Sequence, residues 1–279
     1  LLYDDAAGDD ARLVLAVVTA GVLAGGVAVS YARAEKFLRD RDATVVGAVV
    51  RDELTGRSHE IRAHVVVNAT GVWCDEVRAM LGGIEPRLRP SRGSHLLLPP
   101  GRLPLKAAVT ALSPDDGRPV FAVPHPEGTL IGTTDLFHDG SLDAPRPSAA
   151  AVAYLLRFAA ELFPGARLTA ADVSGAFAGV RPILDTHAED PSEAAREEGV
   201  WEEHGLVSTA GGKLTTFRAT TEEVVDTAIK RLPDDRASAA LPCATAGLGL
   251  PGRAEPAAVR AALERAGVAP AVAAGMVRR

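Results

Sequence analysis

This sequence is poor in the residues that build metal frameworks, disulfide scaffolds and aromatic platforms. Of 279 residues, two are cysteine, two methionine and two tryptophan, and aromatics make up 4%. Cys74 and Cys243 stand far apart, which excludes a disulfide framework and a paired-cysteine zinc site and suits a reducing cytoplasm. The histidines are scattered without a zinc-ligand pattern, so no metal is expected. Basic residues are outnumbered, giving a formal charge of −6, and a nucleic-acid surface is excluded on that ground. No basic leader is visible, because Asp4, Asp5, Asp9 and Asp10 occupy its place. The first residue is Leu1 and the first methionine is Met80, so the chain is expected to be a fragment of something longer. What is present, 47% hydrophobic and 24% charged residues, suits one or two globular domains with a sizeable core.

Asp9-Asp10-Ala11-Arg12 opens a helix. Leu13 to Ala32 carry no charge, which raises the alternative of a membrane span. Gly25-Gly26 interrupts that run, so a helix, a glycine turn and a strand at Val27–Tyr31 fit better. Thr44–Arg51 and His59–Ala63 read as a hairpin, with His59 and His64 on strand faces. Val65–Asn68 reads as a parallel strand buried on both faces, and it ends in the small residues Ala69-Thr70-Gly71. The carboxyl edge of such strands is where open α/β sheets bind nucleotides. A helix follows near Trp73 and stops at Gly82-Gly83.

Arg87 to Leu98 alternates Arg87, Arg89, Arg92 and His95 with apolar residues, as on a strand with one polar face. Val120–Val123 and Thr129–Thr134 flank a Pro/Gly turn and form a second hairpin. Ser148 caps a helix whose Val152, Leu155, Leu156, Phe158, Ala159 and Leu162 recur at helical spacing. Val173–Val180 is a glycine-dotted strand that ends at Arg181-Pro182. Asp185–Glu203 is an acidic loop with a poor strand near Val200-Trp201. Leu206–Ala210 is a strand running into Gly211-Gly212-Lys213-Leu214-Thr215-Thr216-Phe217-Arg218. There two glycines and a lysine meet the start of a helix that runs to about Leu232, a corner suited to electron-rich or anionic atoms. Glu255–Ala266 has a helical pattern. On this reading no G-x-G-x-x-G dinucleotide fingerprint stands before a helix.

Four of these stretches, in order, carry a resemblance: Val66–Trp73, Ser91-Arg92-Gly93-Ser94-His95, Ala178-Gly179-Val180-Arg181-Pro182 and Gly211–Arg218. Together they resemble the FAD-dependent glycerol-3-phosphate dehydrogenases and the related oxidases, from about Leu1 to Pro233. The resemblance implies an α/β (α+β) fold. An incomplete Rossmann-like FAD domain would comprise residues 1–83 and 205–233. An antiparallel-sheet substrate domain, 84–204, would be inserted, and 234–279 would start a helical C-terminal domain.

The resemblance further implies that Asn68, Ala69, Thr70, Gly71 and Trp73 line the FAD site with Gly211, Gly212, Lys213, Leu214 and Thr215. The substrate would be sn-glycerol 3-phosphate, oxidised to dihydroxyacetone phosphate. His95 would be the base, and Arg181, Lys213 and Arg196 would meet the substrate. Gly132-Thr133-Thr134-Asp135 also matches and is assigned to sheet packing. Electrons would leave to a quinone or oxygen, from a cytoplasmic protein with possible peripheral contact to the membrane. Val72 and the Ala195-Arg196-Glu197-Glu198 run depart from the family pattern. Two alternatives stand beside this one: a related FAD-dependent amino-acid or amine oxidase, and a non-catalytic fragment.

Overall fold

The structure is a computed structural model that describes residues 8–187, 198–252, 256–270 and 272. The described residues fall into two compact units, one within Leu1–Ala32 and Leu241–Arg279 and the other within Arg33–Ala240.

In the first unit α1 (Asp10–Leu23) starts where Asp9 accepts a hydrogen bond from Arg12 N at 3.0 Å. No strand follows at Val27–Tyr31, which corrects the sequence reading; Val27 is 90% exposed and Val29 70%. The strand β1 (Ala32–Arg39) instead begins one residue later, in a stretch mixing charged and apolar residues. A strand needs a neighbour for its backbone groups, and the neighbour lies beside Ala32–Arg39, where hydropathy gives little signal.

The second unit contains three sheets. β1 pairs with β2 (Val45–Asp52), which forms the expected hairpin with β3 (Ser58–Arg62) in the register Gly47↔Arg62 to Arg51↔Ser58. β4 (Val66–Asn68) then leads through a 3₁₀ turn, Gly71–Trp73, into α2 (Cys74–Ala79). The largest sheet is built from β5 (Ser91–Leu98), β6 (Val109–Leu112), β7 (Pro119–His125), β8 (Gly128–Gly132), β9 (Leu136–Phe137) and, after α3 (Ala149–Leu162), β10 (Gly175–Arg181). Its order is β10-β5-β8-β7-β6, antiparallel throughout, with β9 also beside β5. Ser148 caps α3 as expected, accepting from Ala151 N at 3.1 Å.

β11 (Glu198–Glu203) and β12 (Leu206–Gly211) make a third sheet with β4, in the order β11-β12-β4. β12 and β4 are parallel, with Leu206 opposite Val66 and Ser208 opposite Asn68. β4 is not buried on both faces as its sequence suggested: Val67 is 43% exposed. Among the described residues β4 has one strand neighbour and so lies at a sheet edge. α4 (Phe217–Ile229) stops short of Leu232, and α5 (Asp234–Ala237) follows. In the first unit α6 (Pro256–Arg265) closes the series. Ahead of it Gly247–Gly252 spells G-x-G-x-x-G, contrary to the sequence reading. The run follows a 3₁₀ turn, Thr245–Gly247, and no strand, so it lacks the strand–turn–helix setting that gives the fingerprint its chemistry.

The main core lies on one face of the six-stranded sheet. Leu96, Leu98, Val120, Ala122 and Ile131 pack there against Leu155, Phe158 and Ala159 of α3. Alternation along β5 therefore commits Ser94, Leu96 and Leu98 inward and leaves Gly93, His95 and Leu97 for the opposite face. A smaller cluster of Val45, Leu81 and Leu206 joins β2 to β12, with Phe37, Val66 and Ile84 packed on it.

A charged network that sequence reading missed ties α2 to β11. Arg78 is 1% exposed and donates to both oxygens of Glu203 at 2.8 and 2.7 Å, to Asp75 Oδ1 at 2.5 Å and to Glu85 O at 3.2 Å. Asp75 Oδ2 accepts from Arg87 N and Leu88 N at 2.8 and 2.7 Å, fixing the chain just before β5. The Trp201 ring carries the Arg78 guanidinium at 5.7 Å and that of Arg87 at 5.0 Å. Arg78 above all holds the Glu203 carboxyl below the usual range.

Candidate active site

The open face of the six-stranded sheet holds His95 and Arg181. Register places Phe177 of β10, His95 of β5, Gly132 of β8 and Phe121 of β7 in one row across four strands. The His95 and Phe177 rings are stacked, 5.0 Å between centroids and 11° between planes. His95 Nδ1 is buried and meets no hydrogen-bond partner among the described residues. Burial first, and the nearby charge of Arg181 second, push the imidazole below its usual pKa. A neutral imidazole is the form that accepts a proton. A shallow pocket beside it is lined by His95, Phe121, Val123, Leu130, Gly132 and Thr133.

Arg181 ends β10 on the same face. It donates from Nη1 to Asp135 Oδ1 and from Nη2 to Thr133 Oγ1, each at 3.1 Å. Asp135 is in turn tied by its backbone carbonyl, which accepts from Arg118 Nη1 at 2.5 Å. Thr134 Oγ1 accepts from Ser94 N at 3.0 Å and fixes this segment to β5. The Gly132–Asp135 run therefore does more than pack a sheet, which corrects the sequence reading. Its residues hold the arginine, and the matched G-T-T-D run was the available signal.

The second half of the site is the edge where β4 and β12 end side by side. Asn68 is 2% exposed and donates to Cys74 O at 3.0 Å, to Cys74 Sγ at 3.4 Å and to Ser208 Oγ at 3.4 Å. Its Oδ1 accepts from Thr70 Oγ1 at 2.6 Å and from Thr70 N at 3.4 Å. The Asn68 amide thus shapes the corner from beneath, and Ala69 and Thr70 are the exposed residues there. Burial pushes the Cys74 thiol up to about 11, so it is an inert core group. Gly71 has φ +59°, and a side chain there would meet open space. Trp73 donates from Nε1 to Asp143 Oδ1 at 3.2 Å, and the Gly71–Trp73 turn packs against β10, the strand of Phe177 and Arg181.

On β12 the chain turns through Gly211 and Gly212, at φ +87° and +72°, into Lys213. Thr216 Oγ1 donates to Lys213 O at 3.0 Å and closes that turn, leaving Lys213, Leu214 and Thr215 exposed. Two adjacent parallel strands ending in glycine corners fit a nucleotide at their carboxyl edge. Asn68–Trp73 and Gly211–Thr215 are thus brought together at one edge, and His95 and Arg181 on one sheet face. Arg196 lies outside the described residues.

Residues 1–218 match the family of FAD dependent oxidoreductases called DAO. The chain belongs to that family. Aerobic glycerol-3-phosphate dehydrogenase from Staphylococcus aureus (strain USA300) is 35% identical over 246 residues, 88% of this chain and 44% of that protein. The crystal structure of glycerol-3-phosphate dehydrogenase from Bacillus halodurans, complexed with FAD, superimposes with a TM-score of 0.83 at 34% identity, covering 94% of this chain and 52% of that one. L-alpha-glycerophosphate oxidase from Mycoplasma pneumoniae, with FAD bound, shares the fold at a TM-score of 0.50 and 19% identity, over 72% of this chain and 50% of that one. This DAO-family chain therefore spans about half the length of the relatives it matches.

Proposed function

We propose that this chain supplies the substrate face and part of the FAD site of an enzyme that oxidises sn-glycerol 3-phosphate to dihydroxyacetone phosphate. The observation that carries the reading is the pairing of a stacked His95 with a braced Arg181 on the open face of one sheet. The names of the relatives supply the substrate.

Oxidation of the C2 carbinol removes a hydride from carbon and a proton from oxygen. FAD, when bound, supplies the two-electron acceptor for the hydride. His95 takes the hydroxyl proton, for which its depressed basicity keeps it ready at neutral pH. Arg181 presents its guanidinium to the phosphate, with Asp135 and Thr133 fixing its plane. Lys213, at the exposed β12 corner, and Arg196 are proposed as further cations for the substrate. Phe177 stacks on the His95 ring and Phe121 lines the pocket beside it. Asn68–Trp73 and Gly211–Thr215 are proposed to hold the FAD.

The division into flavin parts at 1–83 and 205–233, a sheet part at 84–204 and a C-terminal part from 234 is likewise a proposal, supported by the parallel pairing of β4 with β12. Electrons pass on to a quinone or oxygen. A cytoplasmic protein with peripheral contact to the membrane is part of the same proposal. Among the described residues no helix is long and apolar enough to cross a bilayer.

The test is a chimaera in which this chain replaces the matching half of the Staphylococcus aureus dehydrogenase. Anaerobic glycerol 3-phosphate is expected to bleach its flavin, and Arg181→Ala to suppress the bleaching. Bleaching by glycine but not by glycerol 3-phosphate would move the chain to the amine oxidases.

A further inference from the structure

The site is shaped as much by side chains that are absent as by those present. A Cβ built on Gly132 would stand 2.1 Å from His95 Cδ2 and 2.7 Å from its Nε2. A Cβ built on Gly93 would stand 2.3 Å from Arg181 Nη2 and 2.6 Å from Thr133 Oγ1. Carbon atoms do not approach so closely, so each glycine is the bed on which one functional side chain lies. Neither glycine has the positive φ that would by itself call for one. In strands glycine is otherwise unfavourable, because it adds entropy to the unfolded chain and packs nothing. Gly179 makes the contrast: it stands opposite Gly93 in the β5–β10 register, and a Cβ there would meet nothing within 4 Å.

We propose that Gly93 and Gly132 are specificity-determining positions: their bare backbone lets Arg181 and His95 lie flat on the sheet and so sets the room above them for substrate. What fills that room, a small phosphorylated polyol, rests on the functional reading above; the geometry does not. An added methyl at Gly132 lifts the imidazole off Phe177 and out of its shelter. An added methyl at Gly93 drives the guanidinium away from Thr133 and Asp135. The backbone stays, because the clashing atoms in both cases belong to side chains that can swing away.

The experiment uses this chain with the His95 ring observed by NMR, in Gly93→Ala, Gly132→Ala and Gly179→Ala forms. Unmutated and Gly179→Ala chains are expected to titrate His95 below the ordinary imidazole range. Gly132→Ala is expected to return it to that range as burial and stacking are lost. Gly93→Ala is expected to weaken binding of glycerol 3-phosphate, followed through the same resonances, by about tenfold or more. Stability gives an independent reading. Gly132→Ala is expected to destabilise the chain more than Gly179→Ala does, and this excess is expected to vanish in a His95→Ala background. If Gly93→Ala and Gly132→Ala behave like Gly179→Ala in every measurement, the inference is overturned. If His95 responds as stated in Gly132→Ala while glycerol 3-phosphate binds no form, the glycine beds stand and the substrate reading falls.

Discussion

Arg78 and Glu203 face each other in a two-pronged ion pair, with both donor distances under 3 Å and the arginine almost wholly enclosed. The pair joins a helix that follows the β4 corner to a strand more than a hundred residues later, and Trp201 lies beneath it. Arg78→Ala is expected to cost about 3 kcal/mol, because Asp75 loses its cation and Glu203 keeps only the longer contact to Arg87 at 3.4 Å. Urea unfolding of the two proteins measures it, and a cost under about 1 kcal/mol would show that solvent replaces the pair without loss.

The same pair dictates a pH dependence. Glu203 titrates lower in the folded chain than in the unfolded one, where a glutamate sits in its usual range. Its contribution is therefore fully present above that usual range and is lost as pH falls through the depressed folded value. Unfolding free energy followed from about pH 7 down to about pH 3 is expected to fall less steeply in Glu203→Gln than in the unmutated chain. Parallel curves would assign the acid loss to other carboxylates.

Asn68 is expected to matter for stability before it matters for cofactor. Asn68→Ala takes the amide donor from the buried Cys74 O and Ser208 Oγ, at a cost of about 1–3 kcal/mol. Asn68→Asp removes the donor and buries a charge, and is expected to cost more. Thermal and urea unfolding rank the two variants, and an alanine variant less stable than the aspartate one would contradict the donor role.

Arg181→Ala, placed in the chimaera, is expected to weaken glycerol 3-phosphate binding by about 2–5 kcal/mol, the range for removing one partner of a buried charge pair. Arg181→Lys recovers only part, since a point charge cannot span Asp135, Thr133 and a phosphate at once. Glycerol, which has no phosphate, is expected to be a poor substrate and to change little. Steady-state kinetics with both substrates decide, and equal loss on both would detach Arg181 from the phosphate.

The 279-residue chain by itself is expected to retain little FAD. Its one G-x-G-x-x-G run sits after a turn, with no strand to aim it, and the β4 edge has one strand neighbour among the described residues. A stoichiometric flavin spectrum surviving gel filtration would show that the two glycine corners suffice.

Much of this was readable in the residues. Alternation placed His95 on an open face of β5, although Arg92, grouped with it in the sequence, lies three residues away and so on the opposite face; the period of Ala149–Leu162 gave its buried stripe, and both hairpins stood out by their turns. The failures share a cause. Val27–Tyr31 looked like a strand because hydropathy is local, whereas pairing is not. Arg78 drew no reading from the sequence, since its partners Glu203 and Trp201 are distant along the chain. Asp135 and Thr133 read as packing because their role exists only once β8 brings them over Gly93. The corner residues were found by resemblance and glycine chemistry, and period alone would not have singled them out.

The parallel pairing of β4 with β12 has a consequence for how the protein is made. Asn68 emerges during synthesis 140 residues before its neighbour Ser208. The antiparallel strands β5 to β8 come out in between and close through nearer contacts, which form faster than distant ones. The sheet that carries His95 is therefore assembled before the nucleotide edge exists. A nascent chain is expected to form the His95 sheet before the β4–β12 edge proposed for the cofactor.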